Sequence, residues 1–84
     1  GASEQMSNID GRLRWRCRRG TRELDLILGS FLESSYGGLD ARQQGLFDRL
    51  LDCEDDRLQD WLLGEVEPDD AGLAEIVAII RRTR

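Results

Sequence analysis

Apolar residues recur at helical spacing along this chain, and that periodicity limits its possible folds more than any other feature. Leu24, Ile27, Leu28, Phe31 and Leu32 follow the 3, 4, 7, 8 pattern of one helix face. The same spacing returns in Leu46, Phe47, Leu50 and Leu51, in Leu58, Trp61 and Leu62, and in Leu73, Ile76, Val77 and Ile80. A narrower stripe, Ile9, Leu13 and Cys17, comes before them all. One proline and few β-branched residues between Ile9 and Val66 leave little support for strands. The expected fold class is all-α, a compact five-helix bundle forming a single domain over residues 9–84. Residues 1–8 are polar and read as a disordered tail, in which Gly1-Ala2-Ser3 resembles a cloning scar.

Punctuation residues set the expected boundaries. The first helix should run from about Asp10 to Arg18, with Gly20 ending it as a left-handed residue just past its last turn. Thr21 then suits the N-cap of a second helix, about Arg22 to Ser34, with Glu23 in its first turn. Tyr36-Gly37-Gly38 opens a loop. Asp40 with Gln43 three residues on has the form of a capping box for the third helix. The acidic run from Asp52 to Asp56 supplies cap and first-turn carboxylates to a short fourth helix, about Asp56 to Leu63, which Gly64 closes. It lacks the spacing and the glycine of a calcium loop. A fifth helix begins near Asp69 or Asp70, just after Pro68.

Charge is distributed unevenly. Arg12, Arg14, Arg16, Arg18, Arg19 and Arg22 give residues 1–22 a charge of +4, whereas residues 23–80 carry −12, and the whole chain −5. On the first helix Trp15 falls about 200° from Leu13, so Arg12, Trp15 and Arg19 share the face turned away from the apolar stripe. Arginine around tryptophan is a composition enriched where proteins bind one another. If the apolar stripe is wider than it looks, Trp15 is core instead. An acidic body with one basic segment is a poor nucleic-acid binder, because neutralising phosphates needs a net positive footprint. A protein partner with an acidic patch suits it better.

Several chemistries have few candidate groups. Histidine is absent, and with it the commonest metal ligand and general base. Cys17 and Cys53 read as free thiols, too few for a zinc site. No Gly-rich dinucleotide fingerprint or βαβ unit is present to hold a nucleotide. No catalytic residues and no metal ligands are therefore assigned, and an enzyme is the least favoured class. A regulatory or antitoxin-like binding module using the basic surface is one alternative, and a helix-turn-helix nucleic-acid binder another. A transmembrane run is lacking, and no transit peptide is visible, so a bacterial cytoplasmic location is expected.

Particular residues also match a known pattern. Arg-Leu-x-Trp at 12–15, Cys17, Arg18-Arg19-Gly20-x-x-Glu23-Leu24-Asp25, Phe31, Phe47-x-x-Leu50-Leu51 and Asp55-x-x-Leu58-x-x-Trp61-Leu62 resemble the SdhE family, the small flavinylation (FAD assembly) factors of succinate dehydrogenase. The similarity runs from about Arg12 to Ile80. It implies a five-helix fold and a dedicated, chaperone-like role without catalysis by the chain itself. The implied partner is the flavoprotein subunit of succinate dehydrogenase, with that of fumarate reductase as a further client. FAD is carried by the partner and becomes joined to one of its histidines. The family's Arg-Gly-x-x-Glu motif falls on Arg19, Gly20 and Glu23, with Arg12, Trp15 and Asp25 on or beside the partner-binding surface. Thr21 departs from the methionine usual there, which removes an apolar contact. The free protein is expected to be a monomer, bound to neither nucleic acid nor membrane.

Overall fold

The computed structural model of the chain describes residues 11–83. The expected tail over residues 1–8, and Ile9, Asp10 and Arg84, lie outside the described residues. Among the described residues there are five α-helices and no strand, as the periodicity predicts: α1 Gly11–Arg16, α2 Arg22–Ser34, α3 Ala41–Leu51, α4 Asp55–Leu62 and α5 Ala71–Thr83. A 3-10 turn, Tyr36–Gly38, follows α2 where a loop is expected. No helix among the described residues is long and apolar enough to cross a membrane. The chain divides after Gly38 into two units.

In the first unit, α2 has the bounds its sequence predicts, because its apolar period is unbroken and its first turn carries Glu23 and Asp25 at the positive end of the dipole. Leu24, Leu28, Phe31 and Leu32 are buried, while Ile27 is only half-buried. At its far end the Ser35 N–H donates to the Phe31 carbonyl at 2.8 Å, and Tyr36 is buried beyond it.

The first helix ends earlier than expected. It stops at Arg16 rather than Arg18. The N–H groups of Cys17 and Arg18 turn back to the carbonyls of Arg14 and Trp15, three residues behind, tightening the last turn. The Arg19 N–H then leaves the helical ladder and donates to Asp25 Oδ1 at 2.5 Å. A carboxylate six residues ahead has outcompeted the helical carbonyl. Gly20 is therefore not the residue next to the helix end. It is the left-handed residue of a separate corner, with φ +86°, the one positive φ among the described residues.

The second unit holds α3, α4 and α5, and α5 packs on both of the others. Leu46, Phe47, Leu50, Leu51, Leu58, Trp61, Leu62, Ile76, Val77 and Ile80 are buried, so Trp61 is core as its leucine neighbours imply. Leu73 is half-buried. The capping box at α3 is complete: the Gln43 N–H donates to Asp40 Oδ1 at 2.7 Å, and Gln43 Oε1 accepts from the Asp40 N–H. Asp70 caps α5 by accepting from the Leu73 N–H at 2.9 Å, and Arg49 Nη2 pairs with its other oxygen at 3.0 Å. These two interactions hold the Asp70 carboxyl below the ordinary aspartate range, the backbone N–H first. Arg42 forks onto Glu75, 33 positions away, through bonds of 2.6 and 3.3 Å. The turn after α4 needs Gly64, because a Cβ there would stand 2.8 Å from the Asp60 carbonyl oxygen.

Candidate functional site

The corner between α1 and α2 is built by short-range bonds. Asp25 reaches back to the Arg19 N–H, while its own N–H donates to the Thr21 carbonyl at 2.9 Å. Arg19 Nη1 donates to the Arg16 carbonyl at 3.0 Å, satisfying a carbonyl at the end of α1. Thr21 takes the extended N-cap conformation, φ −111° and ψ 121°, but its hydroxyl makes no capping bond. The expected side-chain cap is absent there, and first-turn carboxylates are what α2 has instead. Arg14 Nη1 pairs with Glu33 Oε2 at 2.9 Å and ties α1 to the exposed side of α2.

The residues singled out from the sequence fall into two groups. Arg12, Trp15, Gly20 and Glu23 are exposed, and Trp15 is 71% exposed, so it is not a core residue. Gly20 stands clear, since a Cβ built on it would meet nothing within 4 Å. Arg19 and Asp25 are half-buried and form the frame of the corner. The helical wheel that sets Arg19 beside Trp15 does not apply, because α1 has already ended at Arg16. One further exposed apolar residue of this unit lies outside the stripes that periodicity picks out. Leu26 is 59% exposed on α2, and the available signal was a leucine standing outside an otherwise regular stripe.

Beside the corner, Arg18, Asp25, Gly29 and Leu32 help line a hollow of about 210 Å3 that also reaches Cys17. Burial pushes the Cys17 thiol up to about 11, with the Arg19 and Arg16 charges opposing in part. A thiol so held is a poor nucleophile at neutral pH. The second unit has a hollow of about 460 Å3 rimmed by Asp52, Glu54, Asp69 and Asp70. Even so, no three His, Cys, Asp or Glu side chains among the described residues are placed to hold a metal ion. Neither Cys17 nor Cys53 is in a disulfide. The arrangement offers a surface to be recognised: cationic on one side of a bare glycine, with a carboxylate on the other.

Known proteins share this sequence over nearly its whole length. A family described as the flavinator of succinate dehydrogenase matches residues 11–84. The FAD assembly factor SdhE of Pseudomonas aeruginosa is 45% identical over 69 residues, covering 82% of this chain and 82% of that protein. That of Yersinia pseudotuberculosis is 41% identical, covering 83% and 80%, and that of Coxiella burnetii 39% identical, covering 84% and 87%. With the match spanning every helix described above, the chain belongs to the SdhE family of FAD assembly factors, the flavinators of succinate dehydrogenase.

Proposed function

We propose that this chain is an assembly factor that docks, through the Gly20 corner, on the flavoprotein subunit of succinate dehydrogenase and promotes covalent attachment of FAD to it. The observation that carries the reading is an exposed glycine with a positive φ, flanked by Arg19 and Glu23, in a chain of this family. Arg12 and Trp15 extend the contact along α1, while Asp25 holds the corner in shape through the Arg19 N–H. The related flavoprotein of fumarate reductase is a second client under this reading.

FAD belongs to the partner. In support, the hollow beside the corner is smaller than the roughly 300–1,000 Å3 of cofactor clefts. The larger hollow in the second unit is lined by four carboxylates against one arginine, Arg57, a net negative charge that disfavours a diphosphate. The chain acts without catalytic groups of its own. It favours a partner conformation in which the bound isoalloxazine and the receiving histidine are aligned, so that bond formation becomes effectively intramolecular. Glu23 stands in the first turn of α2 among arginines, where a carboxylate suits pairing with a partner arginine better than acid catalysis.

The test is the covalent flavin fluorescence of the denatured flavoprotein after assembly with wild type, Gly20→Arg or Glu23→Ala. The variants should leave most of the subunit without covalent flavin. Equal incorporation by all three proteins removes the corner from the mechanism.

A further inference from the structure

Helix α2 is amphipathic except at one position. Leu24, Leu28, Phe31 and Leu32 are buried along one side, and at about 100° per residue Leu26 falls roughly opposite the middle of that stripe. It is 59% exposed among Arg22, Glu23, Ser30 and Glu33, all of them exposed polar residues. A leucine left in water contributes little to folding, and burying it against a partner is where its transfer energy becomes available. Glu23 lies three residues before it and Ser30 four after, so Leu26 shares a face with the carboxylate of the corner. Among the described residues of this unit the other large apolar side chain that is exposed is Trp15, and Leu63 and Val66 are exposed in the second unit.

We propose that Leu26 is an apolar anchor of the docking surface, entering an apolar recess on the flavoprotein subunit that has a basic group beside it for Glu23 and acidic groups only towards the arginines of α1 and the corner. This rests on the docking reading above and adds α2 to a surface otherwise drawn along α1 and the corner. Two features of the chain favour that occupant. The Leu26 face continues directly from Glu23, one helical turn away. The stretch up to Arg22 carries +4 in a chain of −5, so the surface around the corner complements an acidic partner. A second copy pairing through the same face would instead bring arginines against arginines. An anchor ringed by polar residues that exclude water is the arrangement in which one side chain dominates affinity.

The experiment measures the dissociation constant for the apo flavoprotein subunit with wild type, Leu26→Ala, Glu23→Ala and Leu63→Ala, alongside urea unfolding of each. Leu26→Ala should unfold like wild type yet bind on the order of tenfold or more weakly, while Leu63→Ala binds normally. Weak binding by Glu23→Ala with normal binding by Leu26→Ala overturns the anchor and leaves the docking reading standing. No binding by wild type sinks both. A wild-type dimer that Leu26→Glu dissolves gives the residue to self-association and also overturns the proposal.

Discussion

Replacing Gly20 by alanine isolates what the corner asks of its backbone. Gly20 has φ +86°, and a Cβ added there meets nothing within 4 Å, so the substitution costs no packing. What remains is the penalty of a left-handed L-residue, about 1–2 kcal/mol, offset by about 0.4–1 kcal/mol of lost freedom in the unfolded chain. A net loss of about 1 kcal/mol follows, against a total stability of roughly 4–12 kcal/mol for a chain of this length. With a urea slope of about 1 kcal/mol per M, the midpoint should fall by about 1 M. Gly20→Asn should fall less, since asparagine tolerates the left-handed region. Far-UV circular dichroism in urea reads all three proteins. An unchanged midpoint for Gly20→Ala, or an equal loss for both variants, refutes the assignment of the cost to backbone conformation.

Other consequences are equally direct. Asp25→Ala strips the acceptor from the Arg19 N–H and should cost about 1–2 kcal/mol, the worth of a charge-assisted bond in a half-buried site; faster amide exchange at Arg19 identifies the cause. With its thiol pushed up to about 11, Cys17 should resist a thiol reagent at pH 8 in the native Cys53→Ser protein and react once urea unfolds it. The sign for stability follows from the same shift. The folded state holds the thiol proton more tightly than the ordinary value of 9.0, so stability is intact below pH 9 and declines as pH rises towards 11. The Asp70 carboxyl is displaced downward, so its contribution is present above the ordinary 3.8 and lost as pH falls below it. Asp70→Asn should therefore lower Tm at pH 7, with the difference from wild type shrinking in acid.

Helix α2 and the start of α3 were legible in the sequence because their determinants are local: an unbroken apolar period, and a carboxylate with a glutamine three residues on. The end of α1 was not, because the Arg19 N–H is taken by a side chain six residues ahead and no periodicity encodes that. For the same reason Arg19 left the face expected for it. Trp15 was legible as a residue off the stripe, but only the structure decides between core and surface, at 71% exposure. Leu26 is not legible from periodicity, which registers regular stripes and not the residues that break them. The Arg42–Glu75 fork joins residues too distant for any local pattern to connect.

The most direct measurement is the affinity of the purified chain for the apo flavoprotein subunit and, separately, for FAD, with wild type and Glu23→Ala compared. A tight complex with the subunit that Glu23→Ala weakens severalfold, and no retention of FAD by the chain alone, is the predicted result. Tight FAD uptake by the isolated chain, or equal binding of the subunit by both proteins, would contradict it.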